Sequence, residues 1–262
     1  MYEADLPGYD LPSDLEQIYG RLGFAELAVY SNFVSSIDGA VSLGSSPSAG
    51  SVISGRYPAD RFLMALLRAC ADAVLVGAGT LRATPGHKWT PSYVFPDLAS
   101  SFARLRKTLG REPEPRLVLL TASGDIEMSH PAVAGGATLV TSAMVAKSLR
   151  ARLPKSCDVI ESGEKDVDLS RAFDELRAHG FNTVLTEGGP HVMGGLLKTG
   201  LLDEVFLTIS PVVAGRDGDD RLGMVAGAEF LPPSGVWADL KSSRRHGDYL
   251  FLRYRLRKSA SP

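Results

Sequence analysis

The stretch Thr183–Val205, TVLTEGGPHVMGGLLKTGLLDEV, decides the fold. A short run typical of a buried strand ends at Glu187, two glycines follow, and an apolar helical pattern begins at Pro190. Adjacent glycines let the backbone approach a bulky anion, and the free N–H groups of a first helical turn favour negative charge. The stretch therefore predicts a strand, a phosphate-binding turn at Gly188 and Gly189, and a helix, although a tight turn alone would also need glycine.

A second glycine turn follows the same pattern of strand, turn and helix. The run DAVLVGAGTLR, residues 72–82, is typical of a buried strand that enters a turn and then a helix. Thr80 can cap that helix or donate to a phosphate, and Arg82 can pair with a phosphate bidentately. Two such turns at the carboxyl ends of parallel strands suggest one ligand that carries several phosphates. Neither turn has the GxGxxG spacing, so a dinucleotide fold other than the usual one is predicted.

Outside these turns, strand-like and helix-like segments alternate from Ala25 onward, which predicts an α/β fold with a largely parallel sheet. The predicted strands span residues 27–34, 73–76, 116–120, 137–140, 158–160, 183–186 and 205–209, followed by an antiparallel hairpin of 237–242 and 249–256. The predicted helices span residues 58–70, 98–109, 143–152, 169–179 and 190–199. Residues 1–24 are predicted to form an N-terminal arm with a short helix at 14–21, and residues 25–262 the main domain.

Composition excludes several functional classes. The formal net charge of −2 over 262 residues leaves no basic surplus for a nucleic-acid partner. No run reaches the roughly 18 to 20 apolar residues of a membrane helix, and the acidic start MYEADLPGYDLPSD is unlike a secretory peptide. We therefore expect a cytoplasmic protein without membrane contact. Cys70 and Cys157 lack metal-ligand spacing, so no metal site is expected.

Five short motifs follow one another in a fixed order along the chain. They are SSIDG at 35–39, Leu67-Arg68 with ADAVLVGAGTLRA, TVLTEGGPHVMGGLL, Leu202-Asp203-Glu204 and Ile209-Ser210-Pro211. Together they resemble the reductase domain of the bifunctional riboflavin-biosynthesis deaminase-reductase, over about residues 25–257. The zinc signature of the deaminase half, H-x-E with P-C-x-x-C, is absent from the sequence.

The resemblance implies a dihydrofolate-reductase-like three-layer α/β/α fold with a central, mostly parallel sheet and a C-terminal antiparallel hairpin. It also implies NADPH as cofactor, a homodimer, and delivery of hydride to an aminopyrimidine ribose phosphate. The strand at 205–209 and the closing hairpin could supply a sheet edge for the dimer. A proton must accompany the hydride, and a carboxyl group or a bound water could provide it.

Site residues follow from the same resemblance, position by position. The cofactor-binding residues that the resemblance implies are Gly77, Thr80, Leu81, Gly188 and Gly189, with Thr121 and Ser123 at the adenosine end and its 2′-phosphate, and Arg82 joins them as the phosphate partner argued above. The expected catalytic residues are Glu187, favoured by its position, and Asp38, favoured for contact with the substrate. Ser36 is expected to line the same substrate and nicotinamide cleft.

The sequence also departs from the family's pattern. Asn32 stands where the family carries a lysine near the reacting carbonyl, so Asn32 is taken as a substrate-binding position. After Thr80 the family continues with an aspartate and an arginine that grips the substrate phosphate, whereas this chain continues with ATPGHKWTPSYV. Lys88, with His87, could replace that grip. Taken alone, His87 and His191 are typical of solvent-exposed histidines.

Two other functions stay open. Asp60, in the first turn of the helix predicted at 58–70, stands about where dihydrofolate reductases hold the pterin ring. A carboxylate there could bind a 2-amino-4-oxo ring through two charge-assisted hydrogen bonds, which favours a dihydrofolate or pteridine reductase; an acid at that place also simply suits the helix dipole. The other alternative is a nucleotide-binding module that keeps the fold without turnover, as the missing lysine and phosphate grip would predict.

Overall fold

The computed structural model describes residues 2–3, 7–44, 48–217, 221–232 and 234–258. Within them the strands are β1 Tyr2–Glu3, β2 Ala28–Ser35, β3 Ala73–Gly77, β4 Arg116–Leu120, β5 Ala137–Thr141, β6 Asp158–Glu161, β7 Thr183–Thr186, β8 Glu204–Ile209, β9 Ala238–His246 and β10 Tyr249–Leu256. The helices are α1 Ser13–Tyr19, α2 Ala49–Ile53, α3 Pro58–Ala69, α4 Ala78–Ala83, α5 Pro91–Val94, α6 Ala99–Thr108, α7 Pro131–Ala134, α8 Ala143–Arg150, α9 Leu169–Ala178 and α10 Pro190–Lys198, with a 3₁₀ turn at Pro96–Leu98.

The strands form one sheet in the order β1-β9-β10-β8-β2-β7-β3-β4-β5-β6. From β8 to β6 every neighbouring pair is parallel, and the pairs β8–β10, β10–β9 and β9–β1 are antiparallel. The parallel strands are joined through helices, as strands that run in one direction require. The α/β prediction, with a mostly parallel sheet and a C-terminal hairpin, is confirmed.

Apolar side chains project from both faces of the sheet. In β3, Val74 and Val76 enter one core cluster, while Ala73 and Leu75 enter the other, as the alternation of side chains along a strand dictates. The first cluster contains the buried faces of α3 and α6, and the second contains those of α9 and α10. Helices therefore cover both sides of the central strands, which leaves the strand ends as the place for a ligand.

The segment before β2 belongs to the first core cluster. Leu11, Leu15, Tyr19, Leu22 and Phe24 are all buried there. The short strand β1 pairs with β9 and extends the sheet beyond the hairpin. Burial of five apolar side chains contributes several kcal/mol at about 1.5–3 kcal/mol each, so this arm stabilises the domain.

Most predicted elements lie within a few residues of the observed ones, but two expectations are wrong. The strand predicted at 205–209 is β8, which lies between β2 and β10 and therefore supplies no free sheet edge for a dimer. The first strand of the hairpin continues to His246, beyond the predicted end at 242. The hairpin turn itself is as predicted, with Gly247 at a φ of +57°, a conformation that glycine adopts readily.

The described helices include none with the length and apolar character needed to cross a bilayer. Among the same residues, no group of three or more histidine, cysteine, aspartate or glutamate side chains could hold a metal ion.

Candidate active site

A cavity of about 650 Å³ opens at the carboxyl ends of β2, β3 and β7. Several predicted site residues lie in its wall: Asn32, Asp60, Gly77, Thr80, Glu187, Gly188 and Gly189. Arg68, His87 and Trp89 lie in the same wall. Residues from distant parts of the sequence thus meet in one concave site of ligand size.

The two glycine turns face each other across Val192 of α10. A Cβ atom added at Gly188 would lie 2.7 Å from the Cβ of Val192, and one added at Gly77 would lie 3.0 Å from Val192 Cγ2. Because real Cβ contacts essentially never fall below 3.0 Å, Gly188 must stay glycine for α10 to pack this closely, and Gly77 is at that limit. Helix packing thus explains these two glycines without a ligand.

Gly189 differs from its neighbour. It has ordinary backbone angles, φ −68° and ψ −180°, and an added Cβ would meet only the Thr80 hydroxyl at 3.7 Å. Neither packing nor conformation therefore requires glycine at this position. No side chain in the described part of the chain caps α10, so the N–H groups of its first turn are left for another partner.

Glu187 follows β7 and is held by an arginine from α3. Arg68 Nε donates to Glu187 Oε1 at 2.7 Å, and Nη2 donates to Oε2 at 2.6 Å. The arginine side chain is 1% exposed and the glutamate side chain 11% exposed. Both carboxylate oxygens are thus bonded to one planar guanidinium, which holds Glu187 in a set orientation.

The same guanidinium reaches the segment before α5. Arg68 Nη2 lies 3.0 Å from His87 Nε2, and Nη1 donates to the carbonyl oxygens of Lys88 at 3.2 Å and Thr90 at 3.4 Å. His87 is half-buried, so the expectation of a solvent-exposed histidine is wrong for it, while His191 is exposed as expected. Burial and then the positive charge of Arg68 lower the pKa of His87 from 6.5 to about 3.

Asp60 lies in the first turn of α3 and is only 3% exposed. Burial raises its pKa from 3.8 to about 6, while the nearby hydroxyls of Thr208 and Ser54 act in the opposite direction. No salt bridge is formed by Asp60 within the described residues, in contrast to Glu187. A buried carboxyl group without a cation in a cavity wall can exchange a proton near neutral pH.

Asn32 contributes an unsatisfied polar group to the cavity wall. Its Oδ1 atom is buried and has no hydrogen-bond partner among the described residues. A buried acceptor without a donor is costly, and a ligand N–H would relieve that cost. Asn32 and Asp60 therefore favour a ligand that presents hydrogen-bond donors to this wall.

Asp38 and Ser36 lie outside the cavity wall. Ser36 Oγ donates to Asp38 Oδ1 at 2.6 Å, and Asp38 accepts the backbone N–H groups of Ala214 at 3.0 Å and Gly215 at 2.8 Å. These hydrogen bonds lower the pKa of Asp38 to about 2, and the bond from Ser36 has the largest effect. Asp38 is exposed and joins two loops, and a carboxyl group with so low a pKa is a poor proton donor.

The other expected residues are also spread around the site rather than in it. Lys88 is exposed and only its carbonyl oxygen contacts Arg68, and Leu81 is buried in the core. Arg82 is exposed and donates to the carbonyl oxygen of Asp125 at 3.1 Å. Thr121 and Ser123 accept backbone N–H groups of their own turn, at 2.9 and 3.2 Å. The structure thus brings together the two glycine turns, Glu187, Asp60 and Asn32, but leaves these five residues outside.

Sequence reasoning missed Arg68 as a site residue. Its guanidinium bonds Glu187, which is 119 positions away along the chain. The signal that could have found it is a charged residue on the apolar face of a strongly amphipathic helix, since Arg68 is buried in α3 together with Leu67 and Ala69.

Fold and cavity together define an α/β protein with a nucleotide-sized site at the carboxyl end of its parallel strands. A family model described as the RibD C-terminal domain matches residues 28–247. The chain belongs to this family.

Relatives and solved structures agree with that assignment. The chain is 30% identical over 105 residues to the 2,5-diamino-6-ribosylamino-4(3H)-pyrimidinone 5′-phosphate reductase of Methanothermobacter thermautotrophicus, which is 40% of this chain and 48% of that protein. The chain thus matches about half the length of this curated relative.

Two solved structures have the same fold. A pyrimidine reductase-like protein from Corynebacterium diphtheriae gives a TM-score of 0.71 at 23% identity, over 94% of this chain and 99% of that one. The riboflavin biosynthesis reductase of Saccharomyces cerevisiae gives 0.63 at 18% identity, over 95% and 100%. At these identities the likeness concerns the fold.

Proposed function

We propose that the chain is an NADPH-dependent reductase of the 5-amino-6-(5-phosphoribosylamino)uracil reductase type, which transfers hydride to a ribosylaminopyrimidine phosphate. The observation that carries the proposal is the meeting of both glycine turns with Glu187, Asp60 and Asn32 in one cavity. Membership of the RibD C-terminal domain family supports it. A phosphate-binding backbone beside buried hydrogen-bonding groups is what a dinucleotide and a polar ring require.

The residues present fit a dinucleotide. The uncapped first turn of α10 would receive the pyrophosphate, with the N–H groups near Gly189 as donors and Thr80 beside them. Gly79, where an added Cβ would meet nothing within 4 Å, leaves the other turn open to the cavity. When bound, NADPH supplies the hydride.

The chain's own residues then orient the substrate and handle one proton. Glu187, fixed by Arg68, provides a stationary negative charge in the wall. Asp60 and Asn32 would bind the ring's hydrogen-bond donors. The pKa of Asp60 is raised and that of Asp38 is lowered, so we assign proton exchange to Asp60 rather than to Asp38.

The experiment is a panel of turnover assays on the purified chain. Loss of reduced-nicotinamide absorbance would be followed with the uracil substrate, with its 2-amino-pyrimidinone counterpart, with dihydrofolate and without substrate. We expect oxidation of NADPH with a ribosylaminopyrimidine phosphate. Binding of NADPH without turnover of any substrate would contradict the proposal and favour the nucleotide-binding module.

A second candidate is a dihydrofolate or pteridine reductase. It is favoured by the position of Asp60, a buried carboxyl in the cavity wall at the start of α3. A carboxylate there can accept two N–H groups from a 2-amino-4-oxo ring. Faster turnover of dihydrofolate than of either pyrimidine in the same panel would select this candidate.

We also propose a homodimer, formed through the hairpin face. Leu240 and Leu250 are 37% and 43% exposed, and Trp237 in the preceding segment is 63% exposed. In the register of the hairpin, Leu240 pairs with Tyr254, on the face from which Leu250 also projects. Analytical ultracentrifugation should give twice the mass of the chain, and Leu250→Asp should give the single mass; a wild-type monomer would contradict the dimer.

A further inference from the structure

Arg68 has more bonds than a salt bridge needs. An arginine carries five N–H groups and no acceptor. In this chain they meet five acceptors: two oxygens of Glu187, the Nε2 of His87, and the carbonyl oxygens of Lys88 and Thr90. The guanidinium thus joins α3, the turn after β7 and the segment before α5 at one point of the cavity wall.

The contact with His87 fixes a tautomer. Because arginine can only donate, His87 Nε2 must accept, and the single proton of the neutral ring is then on Nδ1. His87 lies in the cavity wall, and its Nδ1 has no hydrogen-bond partner among the described residues. The ring is supported by edge contacts with Trp89 and Tyr93 at centroid distances of 4.9 and 5.0 Å.

We propose that Arg68 is a positioning residue of this site, which holds Glu187 in one orientation and keeps His87 as the neutral Nδ1–H tautomer, a hydrogen-bond donor for an oxygen of the bound ligand. His87 then acts as an uncharged donor and not as the cationic phosphate grip that the sequence suggested. The expected effect of Arg68 on turnover rests on the proposed reductase reaction. The expected tautomer of His87 does not depend on that reaction.

The charges around His87 agree with a ring that stays neutral. Arg68 and Arg61 on α3 and His130 before α7 all disfavour a positive charge on it, in addition to its burial. Glu187, the nearby anion, has both oxygens bonded to Arg68 and is already paired. A neutral imidazole donor keeps its function across the pH range in which a free histidine would become charged.

The first test is nitrogen NMR of the histidine rings in the wild-type chain, with His87 assigned among the five histidines through His87→Gln. We expect an unprotonated Nε2, a protonated Nδ1 and no titration between about pH 5 and 8. A ring protonated at Nε2, or titration near the ordinary value of about 6.5, would overturn the inference without involving catalysis.

The second test compares Arg68→Lys with Arg253→Lys, a matched change in a buried ion pair outside the cavity wall. Lysine keeps the charge but has three N–H groups and no planar fork. We expect Arg68→Lys to lower kcat/KM about 100-fold, mainly through kcat, and to make His87 titrate. Arg253→Lys should change neither kcat/KM nor the titration of His87.

Wild-type kinetics and an unchanged His87 in Arg68→Lys would refute the positioning role. If the wild type turns over no substrate, the proposed function fails while the NMR result still decides the tautomer. If Arg68→Lys does not fold, the wild-type spectrum decides it.

Discussion

Two buried arginine–glutamate pairs, one beside each half of the sheet, share their burial and a short hydrogen bond from Nε to the carboxylate, but differ in their surroundings. Arg68 Nε lies 2.7 Å from Glu187, and Arg253 Nε lies 2.6 Å from Glu204. Both arginine side chains are at most 2% exposed. Buried ion pairs often add little net stability, since desolvation offsets their attraction. What each pair does must therefore be judged from its surroundings.

The Arg253 pair lies in the antiparallel half and is enclosed by the fold. Arg253 Nη2 donates to the carbonyl oxygen of Gly23, and its guanidinium lies 4.9 and 5.1 Å from the ring centres of Phe24 and Phe206. Arg255 occupies the other oxygen of Glu204. These contacts join the N-terminal arm to the hairpin, so this pair has a structural role.

The Arg68 pair lies at the carboxyl end of the parallel strands and faces a cavity. Its remaining bonds go to the segment 87–90 instead of to the packed core. Burial and a short Nε–carboxylate distance are common to both pairs, so it is the surroundings that separate the pair enclosed by the fold from the pair that faces the cavity.

The largest effect should come from breaking the structural pair. Arg253→Ala removes one of the two arginine partners of the buried Glu204 carboxylate, together with the packing of the guanidinium on Phe24 and Phe206, which costs about 3 kcal/mol. Urea unfolding should show this loss, while the NADPH affinity of the remaining folded protein should match the wild type. A loss of less than about 1 kcal/mol in the free energy of unfolding, or weaker NADPH binding, would contradict the structural role assigned to the Arg253 pair.

A smaller effect should come from Asp60, the buried acid without an arginine. Its pKa of 3.8 in the unfolded chain rises to about 6 in the folded one. Below the lower value both states are protonated; between the two, the unfolded chain loses its proton first, so stability falls as pH rises, and above about 6 the loss is complete.

Asp60→Asn should therefore stabilise the chain at neutral pH by up to about 3 kcal/mol, since each pKa unit corresponds to about 1.4 kcal/mol. It should also flatten the decline in stability between pH 3.8 and about 6, and lower turnover. Thermal unfolding at several pH values measures this. Destabilisation at neutral pH would show that Asp60 has a cation partner in solution.

The smallest effect on catalysis should come from Asp38. It is exposed, accepts two loop N–H groups and has a pKa of about 2, so it is ionised at neutral pH with or without a substrate. Asp38→Asn should leave kcat nearly unchanged in the turnover assay. A fall of about 100-fold, the size expected for loss of an acid catalyst, would restore the catalytic role that the sequence suggested.

Local features could be predicted from the sequence, and long-range ones could not. The turn at Gly188 and Gly189 was found because a buried strand, a glycine pair and an apolar helix lie within a dozen residues. The parallel sheet followed from the alternation of strands and helices. Arg68 stands out in the sequence only as a charged residue on the apolar face of a helix, and its partner Glu187, 119 positions away, cannot be inferred from spacing.

Side-chain direction explains why other predicted site residues lie outside the cavity wall. Asp38 and Glu187 are both acids beside a turn, but Asp38 turns away to accept N–H groups from residues 214–215. Lys88 and His87 are adjacent, yet His87 lies in the cavity wall and Lys88 does not. The exposed Arg82 binds Asp125, a residue 43 positions away. No pattern along the chain reports such directions.

Gly189 allows the most direct test of the central claim, that the first turn of α10 receives the cofactor's pyrophosphate. Alanine fits its backbone angles, and the added Cβ would meet only Thr80 at 3.7 Å, so Gly189→Ala should unfold at the wild-type temperature. Calorimetric titration with NADPH should show affinity at least about tenfold weaker in this variant, because the methyl group takes the place of the phosphate. Equal affinity in the two proteins would contradict the account.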